Sequence, residues 1–467
     1  MCNVHNAQFS VHNSVIMTKQ MLPQCSFPGR HAITHWQIQR RWLMKKISRR
    51  SFLAATAALA AASLTTGCGG ASDGKTHLTF QIWDVAQRDG MQAMCDAYTE
   101  QHPDVVIEVQ VTSWDEYWTK LEAATMAKQA PDIFWMHTNE ILKYADNDKL
   151  VDCSSIVETD KFSEISLSNA SGSDGTLYAV PKDKDTVGLV YNKEMFDAAG
   201  VSYPDETWTW DTLCEASQQI YDATGFYGYM AYGDDQLGYW NFVYQAGGSI
   251  LTEDKSRANF TDPATKMGME FYINLQKNDW CPTQTYFAET APGTAFFSGK
   301  GSMFFEGNWN ILSELQNYPD MVGKWDVAVL PKCPNPMNGD GRATISNGLS
   351  YATTKTNKHL DVVMDVLKFF GSEEGQRIQG ESGAAIPAYE GLEDTWVGVF
   401  DQYPIDVTPF IDMFEYCIQS VNNAARPEWK TPVSDTLLKI YTGELTIDEG
   451  LEQMQQIVDE ASAEYYE

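Results

Sequence analysis

The sequence predicts an α/β fold with mainly parallel sheets, divided between two lobes. Segments that alternate apolar and polar residues, as strands do, take turns along the chain with segments of helical periodicity, which is the order of βαβ units. Of the 467 residues, about 400 follow an N-terminal leader, and a single hydrophobic core rarely spans that length. Because no internal repeat and no low-complexity linker separates the halves, we expect the chain to cross between the lobes more than once.

The first elements form a βαβ unit that is followed by a helix and a short strand. Ser113 and Glu116 have the spacing of a capping box, so a helix is expected to begin there and to continue to about residue 129. The other predicted elements of this part are strands at 78–83, 105–111 and 133–136 and a helix over 87–101.

The rest of the chain continues the alternation. Two helix starts are indicated by Thr209, which is a good capping residue, and by Pro263, whose missing N–H costs nothing in a first turn. Thr446 and Glu449 repeat the capping-box spacing for a final helix that ends near Ser462. The other predicted elements are strands at 186–191, 302–305 and 325–330 and a helix over 361–370.

Residues 44–67 have the anatomy of an export signal, in which a basic start runs into an apolar core and ends in small residues. The apolar run at 52–64 has 13 residues, whereas a membrane-spanning helix needs about 20, so we interpret it as a signal that is removed. The paired arginines within 48–53 resemble a twin-arginine export signal, and an ordinary Sec signal is the alternative. The basic start is formed by Lys45, Lys46, Arg49 and Arg50.

The end of this signal, Leu64-Thr65-Thr66-Gly67-Cys68, resembles a bacterial lipobox, in which the cysteine thiol is acylated and the chain is cut just before it. A threonine stands where an aliphatic residue is usual. We predict that Cys68 is lipidated and that residues 68–75 form a flexible leash to the membrane. Residues 1–43 contain no acidic side chain and are interpreted as an upstream extension, with translation beginning at Met44.

The exported part of the chain is strongly acidic. Residues 1–68 hold 8 of the 33 Lys and Arg and none of the 63 Asp and Glu, which leaves 25 basic and 63 acidic side chains and a net charge of −38 for the rest. We therefore expect no nucleic acid partner, since phosphates require a basic surface. Acidity of this kind favours solubility and gives no information on the fold.

Six of the nine cysteines remain after Cys2, Cys25 and the predicted anchor Cys68 are set aside. They are scattered, with no Cys-x-x-Cys and no histidine at a ligand spacing, so we predict neither a metal site nor a cofactor. Disulfides and buried thiols both stay open, because six cysteines allow many pairings. The six are Cys95, Cys153, Cys214, Cys281, Cys333 and Cys417.

Four stretches of the mature chain carry a family resemblance through their order and spacing. They are Ala-Pro-Asp-Ile-Phe-Trp at 130–135, Leu-Tyr-Ala-Val-Pro at 177–181 with Leu-Val-Tyr-Asn-Lys at 189–193, Tyr-Trp at 239–240 with Ala-Gly-Gly at 246–248, and Gly-Lys-Gly-Ser-Met at 299–303 with Gly-Asn-Trp at 307–309. In these stretches nearly the whole mature chain resembles the bacterial extracellular solute-binding proteins of the sugar type, relatives of maltose-binding protein that deliver ligands to ABC importers. The resemblance implies the two-lobe α/β fold of periplasmic binding proteins (type II), with a hinge and an interlobe cleft.

The family pattern also implies where the lobes divide. It places one crossing near 181–185 and another near 330–334, so that lobe 1 would combine 76–182 with 331–375 and lobe 2 would combine 183–330 with 376–467. Hinge bending about these crossings would close the cleft on a ligand and signal its presence to the transporter.

A sugar presents an apolar ring face and a rim of hydroxyl groups, so its site needs aromatic platforms and fixed polar groups. We predict Trp240 and Trp309 as platforms, because the resemblance places a stacking tryptophan at Trp240 and because Trp309 directly follows a predicted strand. Trp83, at the end of the first strand, is a third candidate. Core packing is the alternative for each ring.

Polar contacts are predicted from side chains that follow strands, namely Asp84 after the first strand and His137 and Asn139 after the strand at 133–136. The related maltose binder has an aspartate where Asn139 stands and a tryptophan where Met136 stands. These departures argue against maltose as the ligand.

The crossings supply further candidates. Asp183 and Asp185 lie two apart in an extended segment, hence on one side, and are predicted to point into the cleft, a solvated charged face being the alternative. Asn347 and Gly348 would let the backbone approach a ligand closely. Arg426 would donate two hydrogen bonds to vicinal hydroxyls or to a carboxylate.

Together these observations predict a monomeric, lipid-anchored binding protein, not an enzyme, on the extracellular face of the cell membrane or in the periplasm. It would take a sugar or oligosaccharide into the cleft and deliver it to the permease subunits of an ABC importer. A glycoside hydrolase is one alternative, although no His-Glu-x-x-His is present and the 63 acidic residues make chance carboxylate pairs uninformative. The other is the same fold with a charged cargo: a polyamine, which the net charge favours, a glycerol phosphate or a metal complex.

Overall fold

The computed structural model describes residues 74–466, in which strands and helices alternate as the sequence predicts. Each of the six predicted strands forms, and the one at 105–111 has the predicted bounds. The strands are β1 (Thr76–Ile82), β2 (Val105–Val111), β3 (Ile133–His137), β4 (Val180–Pro181), β5 (Val187–Asn192), β6 (Tyr227–Tyr229), β7 (Gly301–Gly307), β8 (Trp325–Ala328), β9 (Thr344–Ser346), β10 (Leu349–Ala352) and β11 (Cys417–Gln419).

The α-helices fill the connections between these strands. They are α1 (Arg88–Gln101), α2 (Trp114–Met126), α3 (Thr138–Ala145), α4 (Glu164–Asn169), α5 (Lys193–Ala199), α6 (Trp210–Thr224), α7 (Trp240–Gln245), α8 (Pro263–Leu275), α9 (Gln284–Phe287), α10 (Pro292–Phe297), α11 (Ile311–Asn317), α12 (Leu360–Phe370), α13 (Glu373–Glu381), α14 (Glu393–Val397), α15 (Thr408–Asp412), α16 (Arg426–Tyr441) and α17 (Ile447–Tyr466). A π-helical turn over Asp235–Tyr239 precedes α7.

One of the two predicted capping boxes forms and the other does not. At α17 the Thr446 N–H donates to Glu449 Oε2 at 2.9 Å, and the Glu449 N–H donates to Thr446 Oγ1 at 3.2 Å. At α2 the Ser113 side chain makes no capping hydrogen bond, so the predicted box is wrong there although the helix begins at the next residue. The acidic first turn of α2, with Asp115 and Glu116, still suits the positive end of the helix.

Lobe 1 is built on a five-stranded sheet with the order β2-β1-β3-β10-β4. Alternate residues of β1, such as Phe80, are fully buried, as the alternating pattern predicts. Phe80 packs edge-on against Tyr351 of β10, with ring centroids 5.9 Å apart, and against Phe370 of α12. Helices α1 and α12 therefore close one core on this sheet.

Lobe 2 is built on a four-stranded sheet with the order β6-β7-β5-β8, beside a two-stranded parallel pair of β9 and β11. Strands β5 and β7 are buried along their whole length, because helices cover both faces of the sheet. Phe305 of β7 stacks on Phe242 of α7 with centroids 5.4 Å apart. The C-terminal helices α16 and α17 join the same core through residues such as Trp429 and Met454.

The sheets are mixed and not mainly parallel, which corrects the sequence prediction. In lobe 1, β1 pairs in parallel with β2 and β3, whereas β10 is antiparallel to both of its neighbours. In lobe 2, β5 is antiparallel to β7 and β8. The reason is the crossings: β5 and β10 begin where the chain enters from the other lobe, so they run against strands that end at that edge.

The chain passes between the lobes at three places. The first crossing follows β4, where residues 182–186 lead into β5, and the second joins β9 to β10 through Asn347 and Gly348. The third follows α13, which stays on lobe 1 because Gln379 Nε2 donates to the Lys182 carbonyl at 2.9 Å. Farther along, Trp396 packs in the lobe 2 core.

These contacts lead us to propose lobe boundaries that differ from those predicted from the sequence. Residues 331–343 remain with lobe 2, since the Lys332 N–H donates to the Trp208 carbonyl at 3.0 Å and the Met337 N–H to the Ala246 carbonyl at 2.9 Å. We therefore assign 74–184 and 347–388 to lobe 1 and the remaining described residues to lobe 2.

Several sequence predictions fall outside the described residues: the upstream extension 1–43, the signal 44–67, the lipid anchor Cys68 and nearly all of the 68–75 leash. Between residues 74 and 466 no helix is long and apolar enough to cross a membrane. All six cysteines of this part are free thiols.

Candidate functional site

A cleft of about 380 Å³ lies between the lobes, at the edge where β1 and β3 end and β5 begins. Ligands of α/β proteins bind at this edge, and the volume is within the range of small-molecule sites. Its lining comes from both lobes and from two crossings. The lining residues are Trp83, Asp84, Gln87, Trp114, His137, Asp183, Lys184, Asp185, Gln236, Asn308, Trp309, Asn310, Leu349 and Ala385.

The lobe 1 wall of the cleft is an aromatic cluster around Trp83. Its indole makes edge contacts with Trp114, Tyr117 and Trp135, with centroid distances of 5.1, 4.9 and 5.0 Å. These neighbours fix the ring of Trp83. Trp114, the first residue of α2, is 42% exposed, which is high for a tryptophan, so it presents an apolar surface to the cleft.

His137 is a neutral hydrogen-bonding group at the end of β3. Its Nδ1 accepts the Asn139 N–H at 3.0 Å and so caps α3, which puts the proton of the neutral ring on Nε2. Burial, with smaller contributions from Lys430 and Arg426, lowers the pKa of His137 to about 3. The ring therefore stays uncharged at neutral pH and offers an N–H donor.

Asp84 and Gln87 begin a polar chain that runs under the cleft to Lys182. Asp84 accepts the Ala86 N–H at 2.8 Å and Gln87 Nε2 at 3.1 Å, and Gln87 Oε1 accepts Lys182 Nζ at 3.0 Å. Lys182 is fully buried, forms an ion pair of 2.6 Å with Asp183, and lies 4.5 Å from the ring centre of Trp135. A buried cation needs such partners.

Asp183 and Asp185 line the cleft, and their carboxylates also hold the crossings together. Asp183 Oδ1 accepts the Leu349 N–H at 2.7 Å. Asp185 Oδ1 accepts Ser346 Oγ and the Asn347 and Gly348 N–H groups, and Asp185 Oδ2 accepts Gln236 Nε2 at 3.0 Å. Burial, followed by repulsion from Asp183, raises the pKa of Asp185 to about 6. The two aspartates therefore fix the first crossing to the second.

The lobe 2 wall consists of the turn that follows β7. Trp309 is partly exposed and packs over Gly307, where an added Cβ would lie 2.2 Å from Cη2 of the indole. Asn308 is 2% exposed, and its Oδ1 accepts the Thr186 N–H at 3.0 Å. Its Nδ2 has no hydrogen-bond partner among residues 74–466. Because a buried donor without a partner is costly, this amide is suited to a ligand acceptor.

Carboxyl groups on lobe 2 lie close to this wall. Glu306 Oε1 accepts the Gly307 N–H at 2.8 Å and Asn310 Nδ2 at 2.9 Å. Burial raises the pKa of Glu306 to about 7, and burial and Glu306 raise the pKa of Glu314 to about 7. Lys184, the cation that lines the cleft, is paired with Glu393. No arginine lines the cleft in the described part of the chain.

Six of the eleven predicted ligand-binding residues line the cleft, and two of the others lie in the core. Trp240 is 1% exposed and lies under the guanidinium of Arg426, 4.8 Å from its ring centre. Arg426 is also 1% exposed; it forms an ion pair of 2.8 Å with Asp235 and donates to the Val421 carbonyl. Neither side chain lines the cleft, because both are buried in the lobe 2 core, and we no longer assign them to the site.

The other three predicted residues lie beside the cleft and serve the framework. Asn139 Oδ1 accepts Ser420 Oγ at 3.2 Å, and Asn347 Nδ2 donates to Gln236. Gly348 has a φ of +64°, and a Cβ there would lie 2.9 Å from Asn169 Nδ2. The glycine is required by the turn and by this close approach.

Eight of the lining residues were not among those predicted from the sequence. Trp114 could have been predicted, since it follows β2 at the sheet edge where β1 also ends. Asn308 and Asn310 could also have been predicted, since they flank the predicted platform Trp309. Gln236 had none, because it comes from the π-helical turn before α7. The eight are Gln87, Trp114, Lys184, Gln236, Asn308, Asn310, Leu349 and Ala385.

The described residues contain no group of three His, Cys, Asp or Glu side chains that could hold a metal ion. What the cleft combines is aromatic surface, a neutral imidazole donor, an unpaired amide donor and fixed carboxylates. Such an arrangement suits an uncharged ligand with apolar faces and hydroxyl groups.

Comparison with known families and proteins agrees with this geometry. Residues 84–377 match the family model described as bacterial extracellular solute-binding protein. A diacetylchitobiose-binding protein of Streptomyces coelicolor is 23% identical over 366 residues, 77% of this chain and 84% of the relative. An arabinooligosaccharide-binding protein of Halalkalibacterium halodurans is 24% identical over 320 residues, 65% of this chain and 69% of the relative.

Solved structures share the fold. An ABC substrate-binding protein of Listeria monocytogenes, in complex with cycloalternan, superposes with a TM-score of 0.74 at 22% identity and covers 83% of this chain and 99% of its own. The GacH receptor of Streptomyces glaucescens, solved unliganded and with acarbose, gives a TM-score of 0.73 at 21% identity and covers 84% and 99%. The two-lobe periplasmic-binding-protein fold that the sequence predicts is thus confirmed.

Proposed function

The chain belongs to the bacterial extracellular solute-binding proteins, and we propose that it binds a neutral saccharide in the interlobe cleft and delivers it unaltered to the permease of an ABC importer. The observation that carries the proposal is the pairing of aromatic walls from both lobes with an unpartnered amide. Trp83 and Trp114 supply one wall and Trp309 supplies the other, and Asn308, whose Nδ2 has no partner among the described residues, also lines the cleft. The relatives named above carry oligosaccharide ligands in their own names.

The binding energy of such a site comes from ring stacking and from a few hydrogen bonds. Burying an aromatic or aliphatic side chain against a ligand contributes about 1.5–3 kcal/mol, and each hydrogen bond contributes a net of about 1 kcal/mol. Two or three stacked rings with several hydrogen bonds therefore reach the roughly −8 kcal/mol of a micromolar site after the costs of association. No bond in the ligand needs to break.

Closure of the lobes about the crossings supports delivery to a transporter. Asp183 and Asp185 tie the two central crossings to each other, so the lobes rotate about a short, fixed joint. A saccharide that touches Trp83 on one lobe and Trp309 on the other stabilises the closed form more than the open form. The permease then recognises the closed form.

We further propose that the protein is monomeric and is held on the extracellular face of the cell membrane through a lipid on Cys68. This part of the proposal comes from the sequence of the leader. Mass spectrometry of the membrane-extracted protein tests it: an N-terminal peptide that begins at an acylated Cys68 is expected, and one that begins upstream of residue 68 would contradict it. A Cys68→Ser variant should appear in the soluble fraction.

A ligand screen tests the cleft. Calorimetric titration with neutral oligosaccharides, a polyamine and glycerol 3-phosphate should give micromolar binding with a saccharide and none with the charged solutes. Chromatography of the recovered ligand should show it unchanged. Release of reducing ends would identify a hydrolase instead, and binding of only the polyamine would assign the same cleft to a cationic solute.

A further inference from the structure

A second polar cavity, of about 460 Å³, shares no lining residue with the cleft. It lies between the α3 and α4 region of lobe 1 and the 254–255 turn of lobe 2, beside the segment that continues from β11. Gln419 reaches across it and donates to Ser168 Oγ at 2.7 Å. A smaller cavity of about 290 Å³ continues from it, and Lys255, Gln419 and Asn422 line both.

Lys255 stands at the junction of these two cavities in an unusual backbone conformation. Its φ is +60°, the left-handed region that side chains other than those of glycine, asparagine and aspartate rarely adopt. The backbone is held there because the Lys255 N–H donates to the Thr252 carbonyl at 2.9 Å and the Lys255 carbonyl accepts Asn423 Nδ2 at 3.0 Å. Strained residues that their surroundings hold in place are concentrated at functional sites.

The Lys255 ammonium forms no ion pair in the described part of the chain, although Glu253 lines the smaller cavity. Burial lowers its pKa, and no carboxylate of residues 74–466 acts against that effect. Asp254 lines the same cavity, but its Oδ1 accepts Thr252 Oγ1, the Ser256 N–H and Ser256 Oγ. The Asp254 carboxylate is therefore hydrogen-bonded within its own turn. A half-buried ammonium without a partner favours an anion as its ligand.

Asn422 supplies an unpartnered acceptor in the same place. It is 5% exposed, and its Nδ2 donates to the Thr138 carbonyl, which sets the orientation of the amide. No donor among the described residues reaches its Oδ1. A buried acceptor without a donor favours a ligand that carries a hydroxyl or amide hydrogen.

From these observations we propose that the second cavity is a binding site for a hydroxylated carboxylate of the sugar-acid class, whose carboxylate pairs with Lys255 and whose hydroxyl donates to Asn422 Oδ1. Ser168 of lobe 1 and Gln419 of lobe 2 also line the cavity and suit the remaining hydroxyls. The site is separate from the saccharide cleft, and this proposal does not depend on the function proposed for the cleft. Because its walls belong to both lobes, occupancy also resists any relative motion of the lobes that changes the cavity.

Calorimetric titration of the intact protein with D-glucuronate, D-glucose and acetate tests this assignment. Glucuronate carries both groups that the cavity needs, glucose lacks the carboxylate and acetate lacks the hydroxyls. We expect glucuronate to bind at least tenfold more tightly than either. Equal binding of glucose, or no binding of glucuronate, overturns the proposal.

Variants locate the binding and exclude the cleft. Lys255→Met and Asn422→Ala should each weaken glucuronate binding at least tenfold, whereas Trp309→Ala should leave it unchanged. Lys255→Gly should lose glucuronate binding yet raise the thermal unfolding midpoint, because glycine adopts a φ of +60° without strain. A Lys255→Met protein that binds glucuronate normally overturns the proposal, as does loss of binding in Trp309→Ala, which would place the sugar acid in the cleft.

The outcomes separate the two proposals. If neutral saccharides fail to bind but glucuronate binds in a manner that depends on Lys255, the function proposed for the cleft is wrong and the second site is retained. If saccharides bind through Trp309 and glucuronate does not bind, the second site is wrong and the cleft assignment is retained.

Discussion

The Asn347 N–H donates to Asp185 Oδ1 at 2.8 Å, and this hydrogen bond joins two different crossings between the lobes. Asp185 lies just before β5, whereas Asn347 lies between β9 and β10. The same carboxylate also accepts Ser346 Oγ and Gln236 Nε2. A single side chain thus joins two crossings between the lobes and borders the cleft that they enclose.

The raised pKa of Asp185, about 6, predicts a specific pH dependence of stability. The folded state holds this proton more tightly than the unfolded chain does. The resulting stability is fully present below the ordinary aspartate pKa and is lost as the pH rises through about 6. The change amounts to about 2–3 kcal/mol. Asp185→Asn should remove this component from the free energy of unfolding, measured with urea at pH 4 and pH 7.5.

The exposed residue Asp435 provides the matched control, and Asp435→Asn should keep the wild-type difference between the two pH values. The raised pKa values of Glu306 and Glu314 act in the same direction, so the Asp185→Asn protein should retain part of the slope. An Asp185→Asn protein with the full wild-type slope would show that this carboxyl group titrates normally.

His137 should act in the opposite direction. Its pKa of about 3 lies below that of an unfolded histidine, so its stabilising contribution is present above about pH 6.5 and is lost as the pH falls towards 3. The loss over that range is about 3–5 kcal/mol. His137→Asn retains an acceptor for the Asn139 N–H but cannot titrate, so it should lose less stability between pH 7 and pH 4 than the wild type.

Urea unfolding at both pH values measures this difference. His359→Asn, at an exposed position, should behave as the wild type does. Identical acid sensitivity of the His137→Asn and wild-type proteins would mean that the pKa of His137 is the same in the folded and unfolded states.

Trp240 should matter for stability and not for the ligand. The ring is 1% exposed, and Arg426 lies between it and Trp429, 4.8 and 5.2 Å from the two ring centres. Trp240→Ala leaves a large cavity beside a buried guanidinium and should lower the free energy of unfolding by about 3–5 kcal/mol. The milder variant Trp240→Phe should fold and change saccharide affinity less than threefold. A tenfold loss of saccharide affinity in the Trp240→Phe variant would show that Trp240 belongs to the binding site.

Asn308 provides a test of the polar half of the cleft. Asn308→Asp keeps the acceptor for the Thr186 N–H but replaces the unpartnered Nδ2 donor by a carboxylate oxygen. Loss of one hydrogen bond to the ligand, with repulsion of its acceptor, should weaken saccharide binding about tenfold or more. Calorimetry of this variant beside Asn317→Asp, at an exposed helix end, makes the comparison, and equal affinities would remove Asn308 from the site.

The sequence predicts most of the fold because the local signals agree with the tertiary structure. Alternation along β1 and β2, the proline after Asp262 and the capping box at Thr446 each form the expected element. The strand directions could not be predicted in this way. Whether β5 and β10 run parallel or antiparallel to their neighbours depends on where the chain returns from the other lobe. That return is a long-range property, and no local periodicity reports it.

The candidate site shows the same limit. Residues directly after strands, such as Trp83, His137 and Trp309, lie in the cleft because the edge of a sheet gathers them there. Trp240 and Arg426 do not lie in the cleft. The sequence cannot distinguish a tryptophan that stacks on a sugar from one that stacks on a buried arginine. Gln236 lies in the cleft because of the π-helical turn before α7, which has no recognisable sequence pattern.

The most direct test of saccharide binding between the lobes is the affinity of the Trp309→Ala variant, measured by calorimetry with the best ligand from the screen. Trp309 is partly exposed on the lobe 2 wall, so its loss should weaken binding tenfold to a hundredfold while changing the unfolding midpoint little. Gly307→Ala, which displaces the same ring, should weaken binding in the same direction. Wild-type affinity in Trp309→Ala would contradict the claim that a saccharide is held between the two lobes in this cleft.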